Sequence, residues 1–215
     1  MTYKQLLAVA RAELGYIGKK SNKDLDDKTA NIKGAYTKYA RDLYSAGYYN
    51  GNKQGFAWCC TFVDWLFWEA SDHDKASATA CKPTGSLGAG VSYAKNYMAS
   101  EGLLRASVKA AQSGDVIYFK VNGELTHTGI VESVDSGAQT ITTIEGNVKN
   151  EVVRKTYKMS DGYLDSVAAP RYTNEDVPTK IICPCCGKAI MTDGTIAEGE
   201  TEYFDFTKFI FKLGR

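Results

Sequence analysis

Gly114-Asp-Val-Ile-Tyr-Phe-Lys-Val-Asn-Gly-Glu-Leu-Thr-His-Thr-Gly-Ile-Val131 is where the chain changes period. Residues 115–119 read as a strand, Val121-Asn-Gly-Glu124 carries the Asn-Gly signal of a tight hairpin, and 128–134 and 139–144 read as β-branched strands divided by Asp135-Ser-Gly137. Residues 152–157 and 167–172 add two further strand candidates. Upstream of this stretch the spacing is helical. Tyr3, Leu6, Leu7, Ala10 and Leu14 line one face of an opening helix, and further helices are predicted over 36–44, 58–70 and, after the glycine-rich turn at 85–90, over 91–98. Helices first and a meander afterwards define an α+β class, with N-terminal helices packed on an antiparallel β-sheet and no βαβ alternation.

A polar, proline-containing segment, Thr173-Asn-Glu-Asp-Val-Pro-Thr179, reads as a linker. It divides a main domain over 1–172 from a small C-terminal cysteine-containing β appendage over 180–215, which is too short to fold alone without a staple. With 26 basic against 25 acidic residues the formal charge is +1, which provides no field to draw nucleic acid or an anionic membrane, so neither partner is expected. No apolar run is long enough for membrane insertion. Lys4, Arg11 and Glu13 break the first helix in a way a secretory core does not tolerate, so synthesis in the cytoplasm without a signal peptide is the expectation.

Six cysteines, at 59, 60, 81, 183, 185 and 186, form two tight clusters and one outlier, unlike the spread framework of a disulfide-stapled domain. Catalysis or metal binding is the better reading. Of only two histidines, His73 sits in the polar Ser71-Asp-His-Asp74 after the long helix, whereas His127 stands at the start of a central strand. In Gln54-Gly-Phe-Ala-Trp-Cys59-Cys60-Thr-Phe-Val-Asp-Trp65 both cysteines fall at a helix N-terminus, where the dipole favours thiolate. Helical phase puts Cys59 with Phe62, Val63, Leu66 and Phe67, on the face expected to pack on the sheet, and turns Cys60 about 100° away. A histidine acting as base needs an orienting partner. Strand alternation sets Ile141, Thr143, Glu145 and Asn147 on one face, which makes Glu145 the first candidate and Asn147 the second.

At these residues the chain resembles the CHAP family, the cysteine- and histidine-dependent amidohydrolases/peptidases, and more narrowly the CHAP lysins of clostridial phages and prophages. The resemblance runs from about residue 8 to 172. It rests on Ala12-Glu-Leu-Gly-Tyr16, Tyr36-Thr-Lys-Tyr-Ala40, Gly55-Phe-Ala-Trp-Cys-Cys-Thr-Phe-Val-Asp-Trp65, Gly114-Asp-Val-Ile-Tyr-Phe119, His127-Thr-Gly-Ile-Val131 and Ile144-Glu-Gly-Asn147 in that order. It implies a papain-like (NlpC-type) fold and peptidoglycan as partner and substrate. The cleaved bond would be the amide between N-acetylmuramic acid and L-alanine, or one within the stem or cross-bridge peptide. The nucleophile falls on Cys59, the histidine on His127, and the acidic and amide positions on Glu145 and Asn147. No cofactor is implied for catalysis, and such an enzyme would act on the wall after release from the cell. Two features depart from the family pattern. Trp58 replaces a frequent glutamine, which leaves the second oxyanion donor open, with Gln54 nearby; and Tyr49-Asn-Gly-Asn-Lys-Gln54 lacks the carboxylates of calcium-binding relatives. Asp24, Asp26 and Asp27 read as a solvated charged turn.

In the appendage, Ile182-Cys183-Pro-Cys-Cys186-Gly-Lys188 resembles one knuckle of a zinc ribbon, with Cys183 and Cys186 as ligands. Cys185, or a second chain in a homodimer, is a source for the missing ligands. Two rival readings remain for the whole chain: a non-catalytic metal- or wall-binding module, with Cys59, Cys60 and His127 holding a metal, and a cysteine peptidase acting on protein.

Overall fold

The computed structural model describes residues 1–29, 33–85 and 89–173, together with the backbone of two short strands, Ile181–Ile182 and Ala189–Ile190. Chain contacts divide it into two units, Met1–Thr173 and Asn174–Arg215. In the second, Ile181–Ile182 and Ala189–Ile190 pair antiparallel. The positions of Cys183, Cys185 and Cys186, and with them the zinc and dimer readings, lie outside the described residues.

Among the described residues of the first unit, five α-helices and a short 3-10 turn (Val108–Ala110) precede five strands. Helix α1 (Tyr3–Ala12) starts at Thr2, whose hydroxyl accepts from the Gln5 N–H while the Gln5 side chain accepts from the Thr2 N–H, a reciprocal cap that satisfies two otherwise orphaned donors. Helices α2 (Lys38–Ser45), α3 (Cys59–Glu69) and α5 (Val91–Ser100) fall where the apolar spacing predicts them. Helix α4 (Lys75–Cys81) was not foreseen; its alanine-rich run has no clear apolar face, and the signal was the Asp74 cap, which accepts from the Ala76 and Ser77 N–H groups. The strands are β1 (Val116–Val121), β2 (Glu124–Asp135), β3 (Thr140–Val148), β4 (Glu151–Lys158) and β5 (Leu164–Ala168), ordered β4-β3-β2-β1-β5 with every neighbouring pair antiparallel. At the β1–β2 hairpin Asn122 and Gly123 take φ of 52° and 84°, the left-handed pair that a two-residue turn of this hand requires.

Two apolar clusters cover the two sides of this sheet. One joins Leu6, Leu43, Phe62, Leu66 and Phe67 of the helices to Val116, Tyr118, Ile130, Ile144 and Val152. The other gathers Ile117, Phe119, Val131, Ile141 and Tyr157. Helix α3 is the centre of the first cluster and is buried from Cys59 to Trp68. Gly146 permits that approach, because a Cβ there would stand 2.6 Å from the Phe62 side chain.

Asp64 of α3 takes part in a buried ion pair, Lys82 Nζ to Asp64 Oδ1 at 2.5 Å, with Tyr49 donating to Asp64 Oδ2 and the Thr84 hydroxyl to Oδ1. Removing one partner leaves a buried charge unanswered. Lys82→Met should therefore cost about 3–5 kcal/mol by urea unfolding, and adding Asp64→Leu should recover much of the loss. A single variant as stable as the parent would mean that Asp64 finds another partner.

Candidate active site

Cys59 is the first residue of α3, and the residue before it, Trp58, contributes no side-chain cap. Trp58 acts as an anchor instead. It is fully buried, with its ring 5.6 Å from Tyr39 and 6.4 Å from Phe62, and it fixes where the helix begins. The uncapped first turn leaves backbone N–H groups to serve negative charge at the helix start. Helical phase does not separate Cys59 from Cys60 as expected, because α3 is buried on all sides. What separates them is what each faces. Cys60 lies over Val116, Tyr118 and Thr128 beside Asp64 and Lys82, whereas Cys59 opens onto a cavity of about 300 Å³ that it shares with His127, Glu145, Asn147, Lys155 and Tyr163.

His127 pairs across the hairpin with Phe119, and its ring lies 5.4 Å from the Phe119 ring. Cross-strand partners share a face, so His127 belongs to the side of the sheet opposite α3. Thiol and imidazole meet where regular pairing ends: the β3–β4 register shifts between Glu145 and Val148, and Asn147 takes a left-handed φ of 67°. His127 Nε2 is 2.9 Å from Glu145 Oε2, which leaves the other ring nitrogen, Nδ1, for the Cys59 thiol that lines the same cavity.

Glu145 is fully buried, and its second oxygen accepts from the Thr143 hydroxyl at 2.6 Å and the Tyr157 hydroxyl at 2.9 Å. Burial opposes its ionisation, yet these donors and the imidazole hold its carboxyl below the usual range. Gly129 makes the space for it, since a Cβ there would come within 2.8 Å of Glu145 Cγ. Asn147 lines the cavity and makes no hydrogen bond to the ring among the described residues, so of the two candidates Glu145 holds the orienting contact. Thr143 and Tyr157 were not singled out from sequence. Thr143 already shared a predicted face with Glu145, whereas Tyr157 becomes visible only once the register sets it opposite Ile141.

The thiols divide sharply. The Cys60 side chain, through a hydrogen bond to Cys59, holds the Cys59 thiol well below its usual value; burial opposes this, and His127 and the Cys60 backbone N–H add to it. Cys60 is pushed up by that same bond and by burial, and Cys81 is pushed up to about 11 by burial. For His127 burial pulls downward, but Cys59 and Glu145 outweigh it and raise the imidazole to about 9. A thiolate–imidazolium pair at neutral pH follows, which is the nucleophilic form of a cysteine. Cys60→Ser keeps a donor for Cys59 and should retain most activity, whereas Cys60→Ala should raise the pH at which Cys59 begins to alkylate with iodoacetamide. An unchanged alkylation profile in Cys60→Ala would show that the neighbouring thiol does not matter.

His73 stacks on Trp68 at 4.1 Å and pairs with Glu69 at the far end of α3, about 15 Å from Cys59 for a helix of this length. Gln54 is not placed as an oxyanion donor. Its Oε1 accepts from the Thr37 N–H and its Nε2 donates to the Thr37 carbonyl, each at 2.8 Å, so both ends of the amide tie the loop before Cys59 to the start of α2. In the aspartate-rich turn Asp26 is taken by Arg41 at 2.6 and 2.8 Å, and Asp27 accepts from Thr29. Among the described residues no group of three or more His, Cys, Asp or Glu is arranged to hold a metal, and none of the helices is long and apolar enough to cross a membrane.

A buried thiol at a helix start, an imidazole and a carboxylate in line, on an α+β scaffold of helices against an antiparallel sheet, make up the papain-like arrangement that the resemblance implies. Residues 49–147 match the family model of the CHAP domain, a span that contains Cys59, His127, Glu145 and Asn147 and supports the CHAP family. No curated protein matches the sequence. Among solved structures, the crystal structure of Ly7917 aligns at TM-score 0.46 and 17% identity over 79% of this chain and 62% of that one. Ly7917 with the hydrolyzing product of MDP aligns at 0.44 and 18%, over 79% and 63%. A protein similar to lipoprotein, of the NLP/P60 family, from Staphylococcus aureus subsp. aureus Mu50 aligns at 0.33 and 11%, over 81% and 63%. The chain thus spans less than two thirds of the length of each.

Proposed function

We propose that this chain is a cysteine-dependent peptidoglycan hydrolase, acting on the wall as a lysin does, either as an N-acetylmuramoyl-L-alanine amidase or as a stem or cross-bridge endopeptidase. The observation that carries the reading is the Cys59–His127–Glu145 line at the mouth of an open cavity, inside the span that matches the CHAP domain. Cys59 Sγ attacks the amide carbonyl carbon, and backbone N–H groups at the start of α3 receive the oxyanion. The imidazolium gives its proton to the leaving amine, which departs as the thioester forms. His127, now neutral, takes a proton from water as that water attacks the thioester, and the acid product leaves with Cys59 restored as the thiolate. Glu145 holds the ring in the required tautomer throughout.

Mass spectrometry of purified peptidoglycan, digested beside a Cys59→Ala control, tests this. New L-alanine N-termini would mark an amidase and other new amines an endopeptidase. No fragments from several bacterial walls, with the protein folded, would leave a binding module, and cleavage of casein in preference to sacculi would leave a protein peptidase. Metal analysis of the intact chain with and without the Cys183, Cys185 and Cys186 thiols tests the zinc reading of the tail.

A further inference from the structure

We propose that Lys155 makes the catalytic cavity a carboxylate-binding subsite, so that the chain favours amides flanked by a residue with a free carboxylate, an acidic peptide segment rather than its amidated form. This rests on the hydrolase reading above and names its substrate class. The β3–β4 register sets Lys155 directly opposite Thr143, and therefore on the face that carries Glu145. The side chain lines the same cavity as Cys59 and His127.

Edge strands often carry lysine simply to discourage strand pairing. On β4 that role falls to the other face, where Arg154, Thr156 and Lys158 are exposed. Lys155 is half-buried, and its ammonium stands 4.9 Å from the centre of the Tyr157 ring. Among other lysines shielded from solvent, Lys19 donates to the Ile17 carbonyl and Lys53 lies over the Tyr49 ring, while Lys38, Lys82 and Lys95 each meet a carboxylate, of Glu13, Asp64 and Asp165. Among the described residues Lys155 has no such partner. Glu145, the carboxylate on its own face, makes no ion pair with it and is engaged instead by His127, Thr143 and Tyr157. A half-buried ammonium held on an aromatic face at the wall of a reaction cavity, beside an imidazolium, is electrostatically complementary to an anion supplied by substrate.

The test compares peptidoglycan with its carboxyl groups free against the same material converted to carboxamides. A charge-assisted hydrogen bond implies a preference for the free acid of about 10- to 100-fold in kcat/KM. Lys155→Met and Lys155→Gln should lose it, bringing the two materials to equal kcat/KM, with the loss on the free acid carried mainly by KM. Lys158→Met, altered on the opposite face, should keep the preference. Equal rates for the parent on both materials, or a preference that survives in Lys155→Met, would overturn the subsite while leaving the hydrolase intact. A parent that cuts neither material overturns both.

Discussion

Cys59→Ala should lower the rate of peptidoglycan cleavage by about 10⁴-fold or more, on the scale seen when a covalent nucleophile is removed, and should leave the fold unchanged. The expectation combines two observations. Cys59 is the thiol whose environment favours the anion, and it is the one that lines the cavity, whereas Cys60 and Cys81 are pushed the other way. Peptide mapping after brief alkylation at neutral pH should therefore find Cys59 modified ahead of Cys60 and Cys81, with activity lost in step. Circular dichroism and thermal unfolding establish that the alanine variant is folded. A folded Cys59→Ala chain that still releases fragments would remove Cys59 from the mechanism, and first modification at Cys60 would move the assignment by one residue.

Much of this was legible in the sequence, for reasons that differ between elements. The hairpin at Asn122-Gly123 was visible because two left-handed residues in succession have few solutions, and α3 was visible because its apolar run is long and preceded by glycine. The cysteine pair was legible as chemistry but not as geometry. Helical phase separates neighbouring residues only where a helix buries one face, and α3 is buried from Cys59 to Trp68. Glu145 could be chosen over Asn147 from alternation alone only as a preference; the deciding features are the gap at Gly129 and the hydroxyls of Thr143 and Tyr157, which depend on the β2–β3 and β3–β4 registers. A single sequence gives strands before it gives their register, so residues that act across strands, Tyr157 and Lys155 among them, stayed hidden. Helix α4 stayed hidden for a local reason, since seven residues hold too few turns for periodicity to register.

The second large effect is expected at Glu145, and its signature is a pH profile. With the imidazole raised to about 9 and the Cys59 thiol held well below its ordinary value, the reactive ion pair forms at a pH well under the usual thiol range. It is lost as pH rises through about 9, where His127 gives up its proton. Wild-type kcat/KM should therefore be flat through neutrality and fall on the alkaline side near that value. Glu145→Gln removes a charge and weakens a hydrogen bond that together raise His127, while the burial that lowers it remains. The sign follows directly: the imidazolium loses its proton at lower pH, and the alkaline limb moves down toward neutrality. At pH 8 the loss in kcat/KM should be about 10²- to 10⁴-fold, the range for disabling a general acid–base or its orienting carboxylate. Asn147→Ala makes the contrast, because Asn147 lines the cavity without bonding the ring and its loss should leave the alkaline limb where it is. A Glu145→Gln enzyme with reduced activity but an unmoved alkaline limb would mean that the carboxylate supports the sheet rather than the imidazolium, and a limb that moved in Asn147→Ala instead would transfer the orienting role to the amide.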